Sequence, residues 1–215
     1  MNSIKDCSLD VSSFEESLNQ ISKEERVAIE LSAQRIKLYH ETSKVKLGNF
    51  DKNENLGRRF LPLEKVGAYV PGGKASYPST VLMGSIPAKV AGVEEIIITL
   101  PAINGDISDL TLAAAMLSNV DHVYTIGGAQ AIAAMALGTE TISKVDKIVG
   151  PGNKYVTEAK RQLYGKVGID GIQGPSEVVV IADKNSDIKT ISWDLISQAE
   201  HDEMAIPILI SSDKE

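Results

Sequence analysis

The sequence has one cysteine, Cys7, in a polar N-terminal stretch, so neither an intrachain disulfide nor a thiolate metal cluster can form, which accords with a reducing cytoplasm. It has no excess of positive charge. Lysine and arginine number 22 against 29 aspartates and glutamates, a formal net charge of −7, with no basic stripe along the chain. A phosphate backbone is repelled on average, so nucleic acid is not an expected partner. No apolar run approaches the ~18 residues of a membrane span. The start, M-N-S-I-K-D-C-S-L-D, lacks the charged beginning and apolar core of a signal peptide. The expected setting is the cytoplasm, away from membranes. No internal repeat or low-complexity segment is present either, and what remains, 215 residues at 43% hydrophobic and 24% charged, is ordinary for a folding globular chain.

Two regimes follow one another along the chain. Residues 13–44 read as helical: Ser13-x-x-Glu16 and Ser22-x-x-Glu25 are capping-box patterns, and Val27, Leu31 and Leu38, with Ile29, Ala33 and Ile36, recur at helical spacing. This predicts an amphipathic arm within residues 1–63. From about residue 64, short β-branched runs alternate with Ala-rich periodic segments. Strands are predicted at 66–70, 96–100, 122–126, 147–149, 178–182 and 206–211, and helices at 79–91, 107–118, 129–137, 153–164 and 187–203. Runs such as E-E-I-I-I-T-L and E-V-V-V-I-A are continuously apolar, as expected of strands covered on both faces. The fold class is α/β: a mostly parallel, incomplete Rossmann-like sheet flanked by helices and preceded by a helical arm. The expected division is an arm over 1–63, an α/β domain over 64–175 that contacts a nucleotide, and the start of a second α/β domain over 176–215. Only S-D-K-E follows the last strand, which suggests a fragment.

Glycine turns adjoin four of the strands: P-G-G-K-A-S-Y-P-S-T, G-G-A-Q-A, G-P-G-N-K-Y and Q-G-P-S-E. Three lie between strand and helix, where backbone N–H groups and a helix N-terminus favour an anion. Neither familiar fingerprint is complete. The Walker-type loop fails because Lys74 precedes Ala75 rather than Ser or Thr, and Gly150-Pro-Gly152-Asn-Lys-Tyr155 lacks the third glycine of a dinucleotide motif. Each turn alone reads most simply as a tight connection. Four together, each beside an exposed-type polar residue (Tyr69, Gln130, Asn153, Ser176), point to a shared nucleotide site. Near the end of the chain, Gln198 and His201 stand three residues apart on a predicted helix, where an amide oxygen and an imidazole nitrogen can grip one ion. Two ligands do not close a site, and a lone His near the carboxylates Glu200, Asp202 and Glu203 is more often a solvated helix-end residue.

Taken together, Y-V-P-G-G-x-A-x-Y-P-S-T-V-L-M, G-G-A-Q-A-I-A-A-M-A-x-G-T-E, K-V-D-K-I-x-G-P-G-N-x-Y-V-x-x-A-K-R, G-P-S-E-V-x-V-I-A-D and S-Q-A-E-H-D, in this order from about Leu61 onward, resemble histidinol dehydrogenase. The resemblance implies a zinc-dependent, NAD-linked oxidoreductase of histidine biosynthesis. Such an enzyme oxidises L-histidinol through L-histidinaldehyde to L-histidine, reducing two NAD. By motif matching it implies that Tyr69, Gln130 and Asn153 contact NAD, that Ser176, Gln198 and His201 contact substrate, and that Gln198 and His201 ligate zinc. It also implies a homodimer for the full-length protein, for which the amphipathic arm is suited.

The departures set further expectations. Members of that family are about twice as long, and their catalytic glutamate–histidine pair, with an aspartate and a histidine that complete the zinc shell, belong to the part that would follow Glu215. No catalytic residue is therefore assigned within this chain, and the 215-residue chain alone is expected to be inactive. Gln173 stands where a small residue is expected before Gly174. The alternative reading is a naturally short, non-catalytic nucleotide-binding or interaction module.

Overall fold

Asp10, not Ser13, opens the first helix. Its carboxylate accepts the Ser12 N–H at 2.9 Å, satisfying a donor that a helix leaves unpaired at its start, and α1 runs Val11–Gln20. The expected Ser13–Glu16 capping box is not made, because both residues already lie inside the helix. The second box is made: the Ser22 hydroxyl accepts the Glu25 N–H at 3.2 Å and the Glu25 carboxylate accepts the Ser22 N–H at 2.9 Å, starting α2 (Lys23–Ser43). The helix expected over 13–44 is thus two, broken where Ser22 keeps extended backbone as a cap. Ser22→Ala is expected to destabilise the chain by about 1 kcal/mol. Urea denaturation followed by circular dichroism resolves that shift, and an unchanged midpoint would show that the box contributes nothing.

The structure is a computed structural model that describes residues 7–44, 60–72, 76–102, 106–172, 177–201 and 205–212, with backbone alone at Val11 and His201. The chain forms two compact units, Met1–Ile172 and Gln173–Glu215. Among the described residues unit one is built on six strands: β1 (Ser8–Leu9), β2 (Lys65–Tyr69), β3 (Glu95–Thr99), β4 (His122–Tyr124), β5 (Lys147–Val149) and β6 (Gly168–Ile169). Their order is β1-β4-β3-β2-β5-β6, and every pairing is parallel except that of β1 with β4. β1 and β6 have two residues each, too few to show a sequence pattern.

Between the strands run α3 (Pro78–Ala91), α4 (Asp109–Leu117), α5 (Gly128–Leu137) and α6 (Lys154–Leu163). Alternation along the strands sends successive side chains to opposite faces. Val66, Ala68, Ile96, Ile98 and Val123 join Val81, Leu82 and Leu112 of α3 and α4 in one core. Tyr69, Ile97, Tyr124 and Ile148 join Ile132, Met135 and Val156 of α5 and α6 in the other. Both faces of the central strands are therefore covered, as their continuous apolar runs imply. Phe14 of α1 and Ile29 of α2 belong to the first core. On α2, Ile29 is buried and Ala33 and Ile36 pack beside it, whereas the parallel series Val27, Leu31 and Leu38 is exposed.

Unit two is a single strand–helix–strand crossover, β7 (Glu177–Ala182), α7 (Ile188–His201) and β8 (Ile206–Ser211), with the strands parallel in the register Val178↔Pro207. Both faces of β7 are expected to be covered, and within these 215 residues its side chains alternate in burial. Val178 and Val180 are half-buried, while Ile181 is 79% exposed and Val179 is also exposed. Among the described residues one helix, α7, shields this two-stranded sheet.

Candidate functional site

Strand order decides where a ligand fits in unit one. From β2 the chain steps to β3 and β4 on one side, then crosses to β5 and β6 on the other, matching the 3-2-1-4-5 order of the dinucleotide-binding fold. The crevice at such a reversal lies outside the carboxyl ends of the two strands that flank it, here β2 and β5. Tyr69 ends β2, and Gly150 is the first residue beyond β5.

Gly150 shows how closely these ends approach. Its φ is +108°, and a Cβ built there would lie 2.1 Å from the Tyr69 carbonyl oxygen. Only glycine has both the backbone freedom and the missing atom that this turn needs. Three residues later Asn153 caps α6: its Oδ1 accepts from Tyr155 N–H at 3.0 Å and Val156 N–H at 3.2 Å. The side chain is exposed, and with Oδ1 engaged its NH₂ group is the donor it offers to a ligand.

Tyr69 departs from its expected exposure. The ring is 3% exposed within the second core, and its hydroxyl accepts the Gly128 N–H at 3.1 Å. β2 alternation places this side chain on the face covered by α5, so the ring is held in the core while its O–H proton remains a possible donor. The bond ties the end of β2 to the glycine turn that opens α5. Gln130, in the first turn of α5, is exposed. Tyr69 at the end of β2, Gln130 in the first turn of α5 and Asn153 at the cap of α6 thus all belong to unit one. Beneath α5, burial pushes the Tyr124 phenol up, and its hydroxyl donates to the Thr141 carbonyl at 2.9 Å. On the outer face of α6, hydrogen bonds from Arg161 and then Gln162 hold the Glu158 carboxyl down to about 2.

Gln198 and His201 belong to unit two, both on α7, with His201 its last residue and Gln198 half-buried. Ser176 and Gln173 lie outside the described residues. Among the described residues there is no group of three or more His, Cys, Asp or Glu side chains able to hold a metal.

A family model described as histidinol dehydrogenase matches residues 1–215. The chain belongs to the histidinol dehydrogenase family. It is 51% identical to the histidinol dehydrogenase of Pseudomonas putida, over 98% of this chain and 48% of that protein, and 50% identical to that of Dechloromonas aromatica, over 99% and 49%. The crystal structure of the histidinol dehydrogenase from Elizabethkingia anophelis superposes with a TM-score of 0.87 at 39% identity, covering 97% of this chain and 49% of that one. The chain spans about half the length of these relatives.

The residues present fit the two implied groups unequally. For NAD, the reversal of strand order between β2 and β5 is where such a fold receives a dinucleotide, the turn at Gly150 is close-packed there, and Gln130 and Asn153 are exposed carboxamides at the starts of α5 and α6. For zinc, α7 carries a glutamine and a histidine at i and i+3, whereas structural zinc sites use four ligands and catalytic ones three protein ligands plus water. The described residues therefore supply an incomplete set. Among the described residues no helix is long and apolar enough to cross a membrane.

The sequence reading passed over one buried group beside this site. Lys160 is 4% exposed and contacts the Gly150 turn. The signal was available: Lys160 lies four residues after Val156 on the buried face of α6, where a charged residue breaks the apolar pattern.

Proposed function

We propose that this chain is the NAD-contacting portion of a zinc-dependent dehydrogenase that oxidises L-histidinol through L-histidinaldehyde to L-histidine. The observation that carries the reading is the strand reversal between β2 and β5, with Tyr69, Gln130 and Asn153 on the turns at the sheet's carboxyl ends, in a chain of this family. In this reading 64–175 is the NAD domain, 176–215 opens a second α/β domain, and 1–63 is an arm. The complete protein is a homodimer in the cytoplasm, and the exposed Val27, Leu31 and Leu38 series offers apolar surface for association.

NAD, when bound, supplies the hydride acceptor for both oxidations. Asn153 donates through its NH₂ group and Gln130 through its carboxamide to cofactor oxygens, while the Tyr69 hydroxyl, fixed by Gly128, donates its remaining proton toward the crevice. Ser176, Gln198 and His201 orient the substrate, and Gln198 and His201 contribute to zinc. The proton of the alcohol and the water that attacks the aldehyde need an acid–base pair, which this reading assigns to no residue of this chain.

The test uses the complete gene product with zinc, NAD and L-histidinol. It is expected to form histidine and two NADH per histidinol consumed. Gln130→Ala is expected to weaken NAD about tenfold in calorimetry while leaving the melting temperature unchanged, since the side chain is exposed. Failure of the wild-type protein to bind NAD at millimolar concentration would refute the assignment.

A further inference from the structure

Lys160 is the only charged side chain buried among the described residues, at 4% exposure. Its Nζ donates to the Gly150 carbonyl and, at 2.7 Å, to Asp170 Oδ1. Asp170 follows β6. Its Oδ2 accepts the Gly150 N–H at 2.8 Å, and its Oδ1 also accepts the Gly171 N–H at 2.9 Å. One ion pair therefore holds both the donor and the acceptor of Gly150, the residue pressed against the Tyr69 carbonyl.

Desolvating an ammonium group is costly, and a buried pair adds little net stability over an apolar pair of the same shape, although removing one partner is severe. The contribution specific to this pair is geometric. It reaches the β5–α6 turn from two sides, Lys160 from α6 and Asp170 from the end of β6. Pro151 restricts the link from Gly150 to Asn153, so the orientation imposed on Gly150 is passed on to the helix cap. Asp170, Gly150 and Pro151 also line an open groove of about 840 Å³, together with Ala68, Val149 and residues of α3. The carboxylate thus stands at an accessible edge while its amine partner is shut in.

We propose that Lys160 and Asp170 are a positioning pair for NAD: they hold the Gly150–Asn153 turn so that the Asn153 carboxamide stands at the β2–β5 crevice. The pair acts through the turn. This rests on the reading of Tyr69, Gln130 and Asn153 as NAD contacts, and a misplacement of about 1 Å in a positioned group is enough to cost about 10²-fold in the reaction it serves.

The test measures Asp170→Asn, Lys160→Met and the double variant in the complete gene product, by calorimetry with NAD, by steady-state kinetics and by amide hydrogen exchange. Each single variant is expected to raise the NAD Kd at least about tenfold and to leave the KM for L-histidinol within about twofold. The double variant is expected to bind no more weakly than the worse single one, because both break the same linkage. Exchange at the Gly150 and Gly171 amides should quicken in Asp170→Asn. A general loss of stability would not separate the two substrates in this way. Asp170→Asn, isosteric and at a partly exposed position, decides the matter if Lys160→Met does not fold. A folded Asp170→Asn that binds NAD within about twofold of wild type overturns the proposal, even where wild type binds NAD normally. Wild-type protein that binds no NAD overturns the underlying site assignment along with it.

Discussion

Gly150→Ala is expected to lower the unfolding free energy of the chain by about 2–6 kcal/mol, the sum of an unfavourable backbone conformation and an overpacked contact. The structural cause is the combination of φ +108° with a Cβ position 2.1 Å from the Tyr69 carbonyl oxygen, which no rotamer change relieves because the obstacle is backbone. Either β5 must move away from β2 or the turn must refold, and both displace Asn153. NAD affinity should therefore fall by more than the stability change explains. Gly165→Ala supplies the control: its φ is +92°, but nothing lies within 4 Å of the added Cβ, so it should cost only about 1–2 kcal/mol. Urea denaturation of both variants, followed by circular dichroism, makes the comparison. A Gly150→Ala protein no less stable than Gly165→Ala would mean that β2 and β5 do not approach as described.

The second large effect is expected at Phe14, outside any site. Phe14→Ala should cost about 3–5 kcal/mol, the range for deleting a fully buried aromatic side chain. Phe14 is 0% exposed in the core formed with α3 and α4, and the Ser17 hydroxyl, one turn further along α1, donates to Asp109 Oδ1 at 2.7 Å. α1 is thus part of the packing of unit one. A loss below about 1 kcal/mol would instead indicate a detachable arm whose Phe14 contributes little to the fold.

These two residues mark where sequence reasoning reached and where it stopped. The continuous apolar run of β3, E-I-I-I-T, announced a strand covered on both faces, and it is one. The similar run of β7 announced the same, and within these 215 residues its side chains alternate in burial, with α7 packed against it. The helical spacing over 13–44 was legible, but its break was assigned to neither Ile21 nor Ser22. Two capping signals lay close together, and the choice between Ser13 and Asp10 depends on which side chain reaches a free N–H. In the candidate site, the glycine turns and the exposure of Gln130 and Asn153 were legible from the motifs. The burial of Tyr69 was not, because it follows from the face on which β2 alternation places the ring.

By itself the sequence determined the α/β class, the family and the residue types available for cofactor and metal, because local periodicity and ordered motifs carry that information without reference to distant contacts. Only the tertiary structure decided that β2 and β5 are neighbours and that the Tyr69 hydroxyl meets Gly128. It alone decided that Lys160 and Asp170 close on Gly150. Those partners are set by strand order and by the packing of helices on particular faces. A one-dimensional pattern fixes the elements but not which of their ends will meet.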